Sequence, residues 1–294
     1  MPGCLHPKLL SICWHCYAPP GFDASTIGWG TGDPGPCGTH VDSALVGRVG
    51  NAIVVAYRGT LARGGDSVRE IIDDWVNNAE TQMVSRPPYG AVHHGFFDSH
   101  RALWNDVRAG IAARLVPTRP SVIIVTGHSK GGALAVLGAA AIRREWDIPV
   151  HVVTFASPRA GGRAFADGYA ALRIPTLRYE NRADLVPYLP LGESPQPFVR
   201  AVLKALSAKY PVTGYVAVGD ALVDGPNALA VSLDWLGLAF RLARARNLLK
   251  SAVPLIEAHR IDQREGEGVY PTMAAGQQRR CAGQRHPECL AALG

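Results

Sequence analysis

The 294 residues suit one large α/β domain, and a chain of that length buries roughly three quarters of its unfolded surface without a staple. An apolar fraction of 47% against 18% charged excludes a disordered chain. The net charge of +6 comes from scattered basic residues without interleaved aromatics, which argues against nucleic acid, and no run of about 18 uncharged apolar residues offers a transmembrane helix.

Residues 1–40 are rich in Gly, Pro, Cys and His and read as an irregular arm. Lys8 is followed only by Leu9 and Leu10 before Ser11, too little for the apolar core of a secretory signal. The expected compartment is therefore the cytoplasm, with secretion second. Cys4, Cys13, Cys16 and Cys37 lie towards one end, Cys281 and Cys289 at the other. Cys13-Trp14-His15-Cys16 has the spacing of a redox pair or half a zinc site, but no second ligand pair follows. Incidental thiols or end-stapling disulfides are expected, and no metal.

Leu45–Val49 and Ala52–Tyr57 read as strands joined at a Gly50-Asn51 turn. Next, Ser67-x-x-Glu70 is a capping box opening a short helix to about Trp75, with Val68, Ile71, Ile72 and Trp75 as an apolar stripe. A longer helix runs from Phe96 to Leu115, with Leu103, Val107, Ile111 and Leu115 on one face. A strand at 121–126, a helix to about Arg144, and strands at 150–155 and 176–180 follow. Alternating strands and helices predict a mostly parallel central sheet covered on both faces. Residues 196–257 read as a helical insertion, and 266–294 as a tail.

The β-branched run Val122–Val125 enters Thr126-Gly127-His128-Ser129-Lys130-Gly131-Gly132 and leaves as an Ala/Leu-rich helix. Strand, strained turn and helix are the context of a G-x-S-x-G nucleophile elbow, with Ser129 at the tip. The competing reading is a tight glycine turn whose serine only caps the helix. A nucleophilic serine needs a base and a carboxylate to orient it, in the chain order Ser, acid, His. His259, beyond Pro254, is the best base, because His151 begins an apolar strand and His286 lies in the Gln/Arg-rich tail. Asp184, in a loop just after a strand and pinned by Leu185-Val186-Pro187, is the best acid, with Glu180 its rival. Oxyanion donors are the backbone N–H of Lys130 and the N–H and hydroxyl of Thr60.

These pieces together resemble the class 3 lipase family, typified by fungal triacylglycerol lipases. Val54–Thr60 resembles its oxyanion strand, Asp74-Trp75 its Asp-Trp, and Val92–Phe96 its His-x-Gly-Phe segment. Gly127–Gly132 resembles its elbow, Thr154–Gly161 the following strand-loop, Asn181–Pro187 the aspartate segment, and Ala258-His259 the place of its histidine. The resemblance covers residues 45–262 in order. It implies an α/β-hydrolase fold over 41–265, no cofactor, and a lid at about 61–80, where the amphipathic helix lies.

Three features depart from the family pattern: a charge at Lys130 where an apolar residue is commoner, the insertions, and a short lid carrying Arg69, Glu70, Asp73 and Asp74.

The implied function is hydrolysis of carboxylic esters, acylglycerols first, by a lipase or esterase using an acyl-enzyme intermediate. Phospholipase A1 or feruloyl esterase activity is the alternative, and a non-catalytic lipid- or partner-binding scaffold the reading from another class. The expected partner is a lipid or ester substrate. Transient contact with a lipid interface could be made through the lid or through residues 227–250, whose Leu229, Leu233, Leu236 and Phe240 precede a basic cluster.

Overall fold

Alternation along each strand decides which residues meet which layer, and here both faces of the sheet are apolar. The computed structural model describes residues 5–18, 21, 23–38, 42–60, 82–181, 184, 186–190, 192, 214–223, 270 and 273–274. Helix α1 (His6–His15) comes first, then strands β1 (Gly35–Gly38), β2 (Ser43–Val49), β3 (Ala52–Tyr57), β4 (Met83–Arg86) and β5 (Gly90–His93). Helix α2 (His94–Ala112) leads to β6 (Val122–His128), α3 (Lys130–Glu145), β7 (Val150–Phe155) and β8 (Gly161–Gly162). After α4 (Arg163–Ala171) come β9 (Thr176–Glu180), β10 (Tyr215–Val216) and β11 (Asp220–Val223).

The main sheet has the order β1-β2-β3-β6-β7-β9-β11. From β3 onward every pairing is parallel, while β1–β2 and β2–β3 are antiparallel. The strands and the long helix occupy the places their patterns predict, and this is the α/β-hydrolase arrangement. Ile53, Val55, Tyr57, Ile123, Val125, Val150 and Val152 face one side, packed with Leu103, Val107 and Ile111 of α2 and Leu134 and Leu137 of α3. Val54, Ala56, Val122, Ile124, Val153 and Phe155 face the other side. Each fully buried side chain of this kind stabilises the fold by about 1.5–3 kcal/mol.

The second face is covered by the segment that reads as irregular. The described part of residues 1–40 is not irregular throughout, since α1 buries Leu9, Leu10, Ile12 and Cys13 against the sheet. Pro7 sits in the first turn, where its missing N–H costs nothing. Leu5, Leu9, Ile12, Cys13 and Cys16 then fall on one helical face. The C-x-x-C spacing is the spacing of that face. Cys13 Sγ lies 3.3 Å from Thr126 Oγ1, and Cys16 Sγ donates to Ala56 O at 3.5 Å. Both are free thiols, and burial pushes Cys13 up to about 12 and Cys16 well above its ordinary range.

Two further expectations change. The stretch 196–257 is not helical throughout, because Tyr215–Val216 and Asp220–Val223 are strands and β11 extends the main sheet beside β9. The stretch 266–294 is not all a loose tail, because Tyr270 and Ala274 are fully buried in the second core. A small antiparallel sheet, β10-β8-β5-β4, also forms without a sequence signal, since two of its strands are only two residues long. The lid at 61–80, the helix at 67–75, His259, and the stretches 196–213 and 224–257 lie outside the described residues.

Candidate active site

Ser129 sits between β6 and α3 at φ 57°, ψ −134°, a backbone state that a non-glycine residue rarely occupies. The surroundings enforce it. The Ser129 N–H donates to Phe155 O at 3.0 Å, and the Gly132 N–H donates to Ser129 O at 2.8 Å. A Cβ on Gly127 would overlap the Gly131 carbonyl, and one on Gly131 would overlap the Tyr57 carbonyl. Strand β6, the first turn of α3 and the end of β3 are therefore in backbone contact, as a strained elbow requires.

The end of β3 runs beside that elbow. A Cβ on Gly59 would approach Ser129 Cβ to 3.1 Å, so Thr60 follows directly at the site. Its Oγ1 is buried and has no hydrogen-bond partner among the described residues. Lys130 opens α3, and the amide of a first helical residue has no acceptor within its own helix. The Lys130 amide thus adjoins Ser129 at the positive end of the α3 dipole, with Gly59, the residue before Thr60, packed against the elbow.

Two tyrosines absent from the sequence reading hold these parts. Tyr17, just past α1, places its hydroxyl 2.9 Å from His128 Nδ1 and packs against Gly59, where a Cβ would overlap it. Tyr270 donates to Asp184 Oδ2 at 2.7 Å and accepts from the Asn181 N–H at 3.2 Å. The Tyr270 ring lies 6.5 Å from that of His128, which brings Asp184 to the elbow's side of the sheet. Asp184 is 1% exposed, and its Oδ1 accepts from the Val186 N–H at 2.9 Å. A carboxylate so buried and so hydrogen-bonded is held in one orientation.

The rivals have other partners. Glu180 Oε1 pairs with Arg178 Nη1 at 2.8 Å. His151 lies within β7, paired in register with Ile124. His259 and His286 lie outside the described residues.

Lys130 Nζ pairs with Asp42 Oδ1 at 2.9 Å, and both side chains are less than a fifth exposed. His93 caps α2, its Nδ1 accepting from the Phe96 N–H at 3.2 Å. Burial foremost, with help from the charges of Lys130 and His94, lowers its pKa to about 3.

Residues 54–194 match the pattern of the class 3 lipases. Over that segment the chain is similar to the class 3 lipase family. It is 34% identical over 134 residues to a lipase from Rhizomucor miehei, a match covering 44% of this chain and 36% of that protein. A secreted mono- and diacylglycerol lipase from Fusarium solani is 32% identical over 140 residues, 47% of this chain and 39% of that protein. The matched part thus spans little more than a third of these relatives' length. Among solved structures, the native Rhizomucor miehei lipase propeptide complex superposes with a TM-score of 0.57 at 25% identity, over 78% of this chain and 71% of that one. A triacylglycerol lipase whose catalytic centre is described as a serine protease triad gives 0.55 at 26% identity, over 76% and 79%. In the class 3 segment of this chain, Thr60, Ser129, Lys130 and Asp184 all fall within the matched residues.

Proposed function

We propose that the protein is a serine hydrolase that cleaves carboxylic esters, acylglycerols first, through an acyl-enzyme intermediate. The observation that carries this reading is the strained Ser129 elbow, with the buried Thr60 hydroxyl, which has no partner among the described residues, one residue beyond Gly59 at that elbow. A hydroxyl left without a partner costs about 1–3 kcal/mol, and one placed beside a candidate nucleophile gains its partner when an oxyanion forms.

Ser129 Oγ attacks the ester carbonyl while His259 takes its proton. The resulting oxyanion accepts hydrogen bonds from Thr60 and the Lys130 N–H. His259 then protonates the departing alcohol, and water, activated by the same histidine, releases the acid. Asp184, held by Tyr270 and the Val186 N–H, keeps the imidazole in the tautomer this sequence needs. No step calls for a metal or a cofactor.

The lipid interface is met, in this reading, by the lid at about 61–80. The names of relatives from Fusarium solani and Gibberella zeae state secretion for those proteins, which supports the second of the two compartments considered for this chain.

The test is hydrolysis of p-nitrophenyl esters of increasing acyl length by the wild type and Ser129→Ala, below and above substrate saturation. Activity that collapses in the variant supports the reading. A long-chain optimum that jumps at the interface marks a lipase, and a short-chain optimum without a jump marks an esterase. Equal rates in both proteins refute it.

A further inference from the structure

Helix α1 runs up the face of the main sheet towards the elbow. Cys13 Sγ meets Thr126 Oγ1 of β6 at 3.3 Å, and Cys16 Sγ donates to Ala56 O of β3 at 3.5 Å. Tyr17 is the next residue, and it reaches the ends of the same two strands, beyond which Ser129 and Thr60 follow. The close of the helix fixes its position. The Tyr17 N–H donates to Trp14 O at 3.0 Å, the Ala18 N–H donates to His15 O at 2.8 Å, and Ala18 takes φ 48°. A left-handed residue at that place ends the helix and turns the chain away.

The phenol touches both sides of the candidate site. Its oxygen lies 2.9 Å from Nδ1 of His128, the residue before the candidate nucleophile. The same oxygen is pressed against Gly59, the residue before Thr60, where a Cβ would overlap it. That Cβ would also come within 2.7 Å of His128 O and 3.1 Å of Ser129 Cβ. Tyr17, His128 and Ser129 therefore converge on Gly59, and glycine is the residue that leaves room for the hydroxyl. A phenylalanine fills the same volume, so packing alone does not call for the oxygen.

Position matters at this point. The two candidate oxyanion donors come from different elements, Thr60 from the end of β3 and the Lys130 N–H from the elbow. Such donors act only at about 2.7–3.1 Å from the oxygen they serve, and a misplacement of about 1 Å costs up to about 10² in rate. The Tyr17 hydroxyl is a tie between the two elements.

We propose that Tyr17 is a positioning residue for the oxyanion step: its hydroxyl ties the end of β3 to the elbow and holds Thr60 in register with Ser129. The proposal rests on the hydrolase reading above. It gives a helix outside residues 54–194 control over the rate of chemistry at the site.

The experiment measures kcat and KM on p-nitrophenyl butyrate for the full chain, Tyr17→Phe, Thr60→Val and the double variant, with Ser129→Ala as the blank. Tyr17→Phe keeps the ring and removes the oxygen. It lowers kcat about tenfold, the order of one hydrogen bond. KM stays within about twofold, because ground-state binding does not use the oxyanion contacts. In the Thr60→Val background the same change lowers kcat by less than about threefold, because the hydroxyl it positions is already absent. His128→Phe keeps a ring, removes the acceptor and lowers kcat likewise, and it supplies the test if Tyr17→Phe does not fold.

An unchanged kcat, a loss confined to KM, or the same loss of kcat with and without the Thr60 hydroxyl overturns the proposal; the last is what a merely structural tyrosine gives. With the ester still cleaved in a Ser129-dependent way, the hydrolase reading survives each of these results. Equal turnover by the wild type and Ser129→Ala overturns the hydrolase reading, and the role of Tyr17 with it.

Discussion

Replacing Thr60 by Val separates the two roles that a buried hydroxyl can have. Valine keeps the β-branched shape and removes only the oxygen, which has no partner among the described residues. If the hydroxyl serves the fold, its loss destabilises. If it waits for an oxyanion, its loss relieves an unmet group, and the fold gains about 1 kcal/mol. For a domain of this size that raises Tm by about 2–4 °C. Activity moves the other way. Loss of one oxyanion donor lowers kcat by about 10²–10³, or about 2.7–4 kcal/mol of transition-state stabilisation. The Lys130 N–H and the Thr60 N–H remain, so some activity survives. The assay is kcat on a soluble short-chain ester, with thermal unfolding of the same preparations. A variant that melts lower, or one with kcat within about threefold of the wild type, refutes the assignment of Thr60 to the oxyanion.

The other parts of the account are open to equally direct perturbation. Tyr270→Phe removes the donor to Asp184 Oδ2 and lowers stability by about 1.5–3 kcal/mol, with a fall in kcat larger than any change in KM; steady-state kinetics showing only a KM effect contradict the orienting role. Ile12→Ala, on the buried face of α1, destabilises by about 2–5 kcal/mol in urea unfolding, whereas a dispensable arm leaves the midpoint unmoved. Acid weakens the fold through two buried histidines: burial lowers His93 to about 3 and His100 to about 4. Both lie below the unfolded value of about 6.5. Their contribution is intact above that value and is lost as pH falls towards 4, amounting to about 2 kcal/mol each at pH 5. Urea midpoints that stay level from pH 7 to 5 refute this, and His100→Gln halves the slope if it is right.

How far the sequence is legible depends on whether a signal is local. The β2–β3 hairpin, α2, β6 with its elbow, β7 and β9 are visible because apolar residues recur at the period of their element and glycines mark the turns. Helix α1 is hidden because one of its core positions, Cys13, and the residue just past it, Cys16, are cysteines, in a stretch whose Pro and Gly content suggests a loop. Strand β11 is four residues long and is a strand because β9 offers an edge, which no local pattern encodes.

At the site, Ser129 is legible from its motif, and Asp184 over Glu180 from the loop that follows it. The structure adds the physical reason, since Arg178 occupies Glu180 while Tyr270 and Val186 present donors to Asp184. Tyr17 and Tyr270 are isolated aromatics that act across 111 and 86 residues of chain. Their partners exist only once the sheet has formed.

The central claim is that Ser129 is an activated nucleophile. Incubating the folded protein with a fluorophosphonate, then mapping the adduct by peptide mass spectrometry, tests it most directly. The account predicts one stoichiometric adduct on Ser129, lost in Ser129→Ala and slowed in His259→Ala. A folded protein that stays unlabelled, or is labelled elsewhere, contradicts it.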